Sequence, residues 1–404
     1  MNIQLARYNE ALAITPWATQ TNAKRPVLAL LEDSPLFCKR AKGAIFWDIE
    51  DRPFTDYFAA CGPIILGYAD ERVDKAVREE MENGFLFSIA SEKEFILAKR
   101  ITNLFPSIDW VKYMKTGGDA MTAAVRLARV HTGKYTILQC GYHGWQDWYQ
   151  SVSLGVGRTY GIPEETGKYT LAFPYGDIEA LEEMMDRTPD VAAVVLVPYN
   201  WTEDLTPEYF TRLRKLCDKH GALLIFDEVK SGFRVGLLGV QGSSGILPDI
   251  TVFAKSICNG YPLAVLGGNA YLLKAFDASC IVTTTYAGET LSIAASLATL
   301  DVLEQGDVYD HLAGLGSALK SGVEEIARRK CVPITALGRD STITIRPDFG
   351  SEEKDMDFAI TLMRAHLRAG QYVKGYIEIP YVMCEAHTQE DVAKLLETID
   401  RAVS

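Results

Sequence analysis

The sequence predicts an α/β protein in which helices flank a mostly parallel sheet, with a second, smaller α/β unit beside the main one. Three observations carry this expectation. From about residue 70, stretches of helical apolar period alternate with short β-branched runs, the rhythm of helices covering a sheet. Three of these runs, VAAVVLV at 191–197, ALLIFD at 222–227 and ITVFA at 250–254, are apolar without alternation, as strands covered on both faces should be. After about residue 288 the pattern changes, which marks the smaller unit.

Taken in order, the spacing predicts helices over 71–84, 92–104, 118–131 and 206–220, the last stopped by Gly221. A strand at 135–139 precedes an aromatic cluster. Beyond 288 come two long helices, a short strand at 341–346, a helix at 355–369 and a final helix at 389–403. No internal repeat and no Pro- or Ser-rich linker punctuates the chain. The expected organisation is an N-terminal segment, 1–60, that joins the small domain, a large domain over 61–290, and a C-terminal small domain over 291–404.

The 404 residues, 48% hydrophobic and 23% charged, are ample for a packed core without staples or metals. A formal charge of -12 with no basic block argues against nucleic acid as partner and points to small molecules. The eight cysteines are far apart, with no C-x-x-C pair and no zinc-type spacing, and read as reduced thiols. The N-terminus lacks the basic and apolar regions of a secretory signal, and no apolar stretch reaches the roughly 18 residues of a membrane span, so a cytoplasmic protein with no membrane partner is expected.

Four segments can carry chemistry. In LLIFDEV at 223–229 an apolar strand ends in Asp227 and Glu228, where open α/β sheets bind their ligands. An acid there can hold a cationic ring nitrogen, bind Mg²⁺, or simply cap the next helix. In ITVFAKSICNGYP at 250–262 another strand ends in Lys255, whose amine, partly desolvated, could form a Schiff base, or could be a solvated lysine opening a loop. In KTGGDAMTAAVRLAR at 115–129, Thr116, Gly117 and Gly118 open an amphipathic helix, which suits an anion, or equally a tight turn with a Thr cap. In CGYHGWQDWY at 140–149 an aromatic could stack on a flat heterocycle and His143 could orient a substrate, unless the cluster is core. There is no Walker pattern, and Gly155, Gly157 and Gly161 miss the G-x-G-x-x-G spacing by one residue. Together the four ask for one ligand with a phosphate, an aromatic ring, a basic ring nitrogen and a carbonyl. Pyridoxal 5'-phosphate (PLP) has all four.

The order KTGGDA, GYHGW, LLIFDEVKSGFRV, VFAKSICNGYPLAVLGG and TTTYAGETLSIAAS resembles the class III aminotransferases of PLP fold type I, over roughly 35–400. Within that group the likeness is closest to glutamate-1-semialdehyde 2,1-aminomutase, through GAIFWDIEDRPFTDY, GFRVGLLGVQG, SLGVGRTYGIP and AHTQEDV. The resemblance implies that Lys255 carries PLP as a Schiff base, that Asp227 pairs with the pyridine nitrogen, and that Val229 and Tyr142 pack on the two ring faces. It also implies that Thr116, Gly117 and Gly118 hold the phosphate. Thr285 would reach the phosphate of a neighbouring subunit, in a homodimer with shared sites. His143 is expected close to the cofactor.

Some positions depart from the pattern. The mutase-like N-terminal stretch reads NAKRPVLALLEDS at 22–34, a usual glutamate is Val197, leaving Asn200 as polar neighbour of the ring hydroxyl, and Ala287, Glu289 and Thr290 replace a Ser-Gly-His/Asn-Pro pattern. These departures point to a different substrate. The implied reaction takes an amino group from an amino-acid donor, with L-glutamate the first choice, to a carbonyl acceptor in ping-pong fashion. Asp227 keeps the ring nitrogen protonated while Lys255 moves the substrate's Cα proton. An intramolecular aminomutase and a non-catalytic binding protein on the same fold are the competing readings. Trp145 and Trp148 could line a pocket for a sugar or sugar acid, or be core, and Arg234 could bind a substrate carboxylate or form a structural ion pair.

Overall fold

In a computed structural model the described residues are 3–152, 161–277, 280–339 and 341–403. The SLGVGRTYGIP segment at 153–163 lies, as far as residue 160, outside them, and so do Gly155 and Gly157. The chain forms two compact units, Arg72–Glu304, and Met1–Glu71 with Gln305–Ser404. The breaks fall at 71/72 and 304/305, against 60/61 and 290/291 in the sequence reading. The helix Thr290–Leu303 belongs to the central unit, because its face is buried there around Ile293, Ala295 and Leu300.

The central unit is built on a seven-stranded sheet. Its strands are β1 (Trp110–Met114), β2 (Thr136–Cys140), β3 (Thr170–Ala172), β4 (Val191–Leu196), β5 (Leu223–Asp227), β6 (Ile250–Phe253) and β7 (Ala264–Gly268). Their spatial order is β1-β7-β6-β5-β4-β2-β3. The strands β6, β5, β4, β2 and β3 run parallel, whereas β7 is antiparallel to both its neighbours, which turns β1 back into the common direction. As the uninterrupted apolar runs require, β4, β5 and β6 are buried along their whole length.

Neither β1 nor β7 is among the strands expected from sequence. The AVLGG of β7 looks poor as a strand because two glycines weaken it. Packing explains them: a Cβ on Gly267 would sit 2.8 Å from Ile108 Cγ2, and one on Gly268 2.9 Å from Trp110 Cζ2.

Helix ends follow the sequence signals. Gly117–Thr132 starts on a capping box between Thr116 and Asp119 and covers the sheet with Ala120, Ala124, Leu127 and Ala128. Pro207–His220 has Thr206 as its cap, proline in its first turn and Gly221, at φ +58°, as its stop.

The other unit contains the sheet Cys38–Lys42, Ile45–Asp48, Pro53–Asp56 and Gln371–Tyr372, and a three-stranded sheet of Ile334–Arg339, Thr342–Pro347 and Ile379–Val382. The predicted strand at 341–346 is Thr342–Pro347, and the two predicted late helices are Glu352–Arg368 and Gln389–Ala402. From the divergent stretch at 22–34, Lys24 and Pro26 line a cavity of about 400 Å³ with Trp17, Phe58, Cys61 and Tyr372. None of the eight cysteines forms a disulfide. Among the described residues no helix is long and apolar enough to cross a membrane.

Candidate active site

Because β1, β2, β4, β5 and β6 share one direction, their carboxyl ends face one edge of the sheet. That edge receives Thr116 after β1, Tyr142 and His143 after β2, Asn200 after β4, Asp227 at the end of β5, and Lys255 after β6. Four separate sequence signals therefore meet through topology alone.

Asp227 is 3% exposed. One carboxylate oxygen lies 2.7 Å from His143 Nδ1, and the other accepts the Val229 N–H at 3.1 Å. His143 is fully buried too, stacked on Trp148 and edge-on to Tyr149. Its Nε2 has no hydrogen-bond partner among the described residues. His143 thus contacts the strand-end acid directly. Gly141 makes the turn into this pair possible: its φ is +110°, and a Cβ there would lie 2.5 Å from Val197 Cγ2. Tyr142 follows with 52% of its surface exposed, and its phenol is pushed up by burial and by the charge of Asp227.

Lys255 opens a short helical turn, Lys255–Cys258, with φ at +54°. A non-glycine residue is costly in that region, and such strain gathers at functional sites. The next residue, Ser256, is buried and accepts the Nε–H of Arg234 at 3.2 Å. Arg234 is itself 0% exposed, so it braces the loop behind the lysine and does not face a substrate carboxylate.

At the helix start the Thr116 hydroxyl accepts the Asp119 N–H, and the Asp119 carboxylate accepts that of Thr116, both at 3.2 Å. The N–H groups of Gly117 and Gly118 have no partner among the described residues, and this is the donor set an anion needs. Gly117 also lies against Val229: a Cβ would fall 2.7 Å from Val229 Cγ2. The phosphate-type turn and the residue two beyond Asp227 are therefore neighbours, although sequence separates them by more than a hundred positions.

Glu228 has a different task from Asp227. Its buried carboxylate accepts the Ser231 hydroxyl at 2.5 Å and the N–H groups of Val240 and Gln241 at 2.8 and 3.1 Å. Burial nonetheless pushes it up to about 7. It ties the 229–239 loop to the strand end, a role that the run of two acids did not reveal. Asn200 spends its side-chain oxygen on Thr202 N and Oγ1 and on Glu203 N, which leaves only its amide N–H groups for a ligand. Thr285 stands apart, exposed in the turn at 285–288. Trp148 is core, its indole N–H on Thr122 Oγ1 at 3.1 Å, whereas Trp145 is exposed.

A buried carboxylate for a ring nitrogen, an amine at the next strand end and open helix N–H groups for a phosphate fit one group, PLP. Fold and site define a PLP-dependent enzyme. The sequence profile described as Aminotransferase class-III matches residues 30–339. The chain is 31% identical, over 100% of its length and 98% of the relative's, to 3-aminobutyryl-CoA aminotransferase of Cloacimonas acidaminovorans. It is 36% identical, over 81% and 78%, to glutamate-1-semialdehyde 2,1-aminomutase of Methanothrix thermoacetophila. Among solved structures it is similar to the PLP internal aldimine form of the Sphingopyxis sp. MTA144 FumI protein, with TM-score 0.89, 28% identity and coverage of 99% and 95%. The chain belongs to the class III aminotransferases, with the fold type I architecture, and its cofactor is PLP.

Proposed function

We propose that this chain moves the amino group of an amino-acid donor, with L-glutamate the first to test, onto a small carbonyl acceptor in two ping-pong half-reactions. The observation that carries this reading is the pairing of the buried Asp227–His143 couple with Lys255 at adjacent strand ends. Asp227 would hold the ring nitrogen protonated, with His143 fixing the carboxylate. Val229 and Tyr142 would sandwich the ring, and Thr116, Gly117 and Gly118 would hold the phosphate. When bound, PLP supplies an electron sink that makes the donor's Cα proton acidic. The Lys255 amine takes that proton and returns it as general base and acid. Asn200, through its amide N–H, would approach the ring hydroxyl.

A homodimer belongs to the same reading. Phe85, Leu86, Phe87, Ile89, Phe95 and Ile96 are all exposed, an apolar face that a second copy would cover. The Thr290 N–H binds Phe85 O at 2.9 Å, so this face adjoins the turn that carries Thr285. That supports a threonine serving the phosphate of the partner's site.

For the acceptor, the name of the Cloacimonas relative suggests a 3-oxoacyl thioester, the carbonyl counterpart of its amine. A sugar has no support, since Trp148 is core and Trp145 stands in the open. The mutase alternative rests on the match to the Methanothrix enzyme and is disfavoured by the divergent 22–34 stretch. Absorbance spectra before and after excess L-glutamate, with Lys255→Ala alongside, separate these readings. The transaminase reading expects bleaching of the yellow band with release of 2-oxoglutarate, and neither in the variant. A yellow protein indifferent to every external donor would favour the mutase.

A further inference from the structure

Lys115 precedes the phosphate-type turn by one residue, and its ammonium is already engaged. Its Nζ donates to Glu289 Oε1 at 2.7 Å and to the carbonyl oxygen of Pro262 at 3.0 Å. The two side chains are only 16% and 12% exposed. On the other side the Glu289 carboxylate accepts the N–H groups of Leu291 and Ser292, at 2.9 and 3.2 Å, and so caps the helix Thr290–Leu303. Burial alone would raise this acid, yet Lys115 and Ser292 hold it below its ordinary value. Gly288, beside it, lies against Glu94, where a Cβ would fall 2.7 Å from the carboxylate carbon.

Three segments converge on this one ion pair. The first is the turn Thr116–Gly118. The second is the Lys255–Pro262 loop, closed by Tyr261 N on Cys258 O at 3.0 Å and by the Cys258 thiol on Tyr261 O at 2.6 Å. The third is the turn carrying Thr285, which ends at Glu289. Glu289 is also one of the positions at which the sequence departs from the resembled pattern. Desolvating an ion pair this far rarely raises stability much, whereas losing one partner leaves a charge uncompensated. Such a pair is better suited to fixing a geometry.

We propose that Lys115 and Glu289 are positioning residues that lock the phosphate turn, the lysine loop and the Thr285 turn into one register, and thereby set how tightly the cofactor is held. This rests on the site roles given under Proposed function. Neither side chain is catalytic, since both are spent on each other and on backbone groups.

The test uses the holoenzyme and reads the rate at which the yellow band is lost during dialysis against a PLP scavenger. Glu289→Gln keeps an oxygen to cap Leu291 and Ser292 and removes the charge and the acceptor that Lys115 uses. It and Lys115→Met are each expected to release PLP roughly tenfold faster or more, and Lys115→Arg to restore retention. The double variant should be no worse than the worse single, because both remove one interaction. Folded single variants that hold PLP as long as the wild type would overturn the clasp, and so would losses that multiply in the double variant. A wild type that never binds PLP would instead sink the site reading, so the two failures are distinct.

Discussion

Two helices in this chain start alike, one in each unit, and only one of them starts at a site. Gly117–Thr132 and Gln389–Ala402 both open on a threonine cap whose hydroxyl accepts the N–H of an aspartate three residues on, at 3.2 Å in each. In both, the aspartate reaches back to the threonine N–H. The caps differ in one bond, the Thr388 hydroxyl also donating to the Asp391 carboxylate at 2.8 Å, and the next two residues differ as well. At the first start these positions are Gly117 and Gly118, which bring no side chain, whereas at the second they are Gln389 and Glu390, which bring side chains and a further carboxylate. A helix dipole and a cap are thus not enough for an anion. Room for close approach and the absence of a competing acid decide.

The strongest way to break the comparison is to carry one helix start onto the other. Gly118→Glu, which copies Glu390, puts a carboxylate where a phosphate would lie. PLP affinity is expected to fall roughly 100-fold or more, as like charges brought together cost several kcal/mol. Gly118→Ala isolates the steric share, since the atoms nearest its Cβ belong to the flexible end of Gln146. The reverse change, Glu390→Gly, should leave cofactor affinity untouched. PLP titrations of the three variants followed by absorbance check all of this.

A second contrast lies in the buried titrating groups. Glu228 in the central unit is raised from 4.5 to about 7 by burial, which outweighs its hydrogen bonds to Ser231, Gln241 and Val240. His366 in the other unit is lowered from 6.5 to about 4 by burial, against the opposing effect of Gln371. The signs are opposite. A raised folded value gives stability that is complete below the unfolded value, so the Glu228 contribution is lost as pH rises from 4.5 through about 7. A depressed one gives stability complete above the unfolded value, so the His366 contribution is lost as pH falls from 6.5 through about 4. Each amounts to a few kcal/mol at most, at about 1.4 kcal/mol per pH unit. Hydrogen exchange across this range should show the two units weakening in opposite directions. Glu228→Gln should flatten the trend in the central unit alone, and His366→Gln that in the other.

How much of this was legible in the sequence follows from the range of the interactions. The buried strands and capped helices are local, and their apolar runs and cap residues announced β4, β5, β6 and the helix Pro207–His220 within a residue or so. The site residues Asp227, Lys255 and Gly117 were visible as strand ends and a glycine turn, and topology brings them to one edge. Partnerships that cross from strand to strand were not visible. Nothing near His143 in sequence announces Asp227, nothing near Arg234 announces that its guanidinium is buried on Ser256, and nothing near Lys115 announces Glu289. The strand β7 was hidden for a similar reason, its glycines being explained only by Ile108 and Trp110 across the sheet.

The smallest effect is also the cleanest test of the opening comparison. Thr116→Ala and Thr388→Ala each remove a hydroxyl that satisfies one amide at a helix start, and each should cost about 1 kcal/mol of stability, as cap removal commonly does. Measured by denaturant midpoints in the apoprotein, Thr388→Ala should lose at least as much as Thr116→Ala, because the Thr388 hydroxyl also donates to the Asp391 carboxylate. Adding PLP should separate them in the opposite sense. Thr116→Ala would then lose several-fold in PLP affinity, about 1 kcal/mol, the net worth of one hydrogen bond on the phosphate side. Thr388→Ala would bind PLP like the wild type. Equal affinities in the two variants would mean that the Thr116 hydroxyl is spent on Asp119 alone, and that Gly117 and Gly118 hold the phosphate without it.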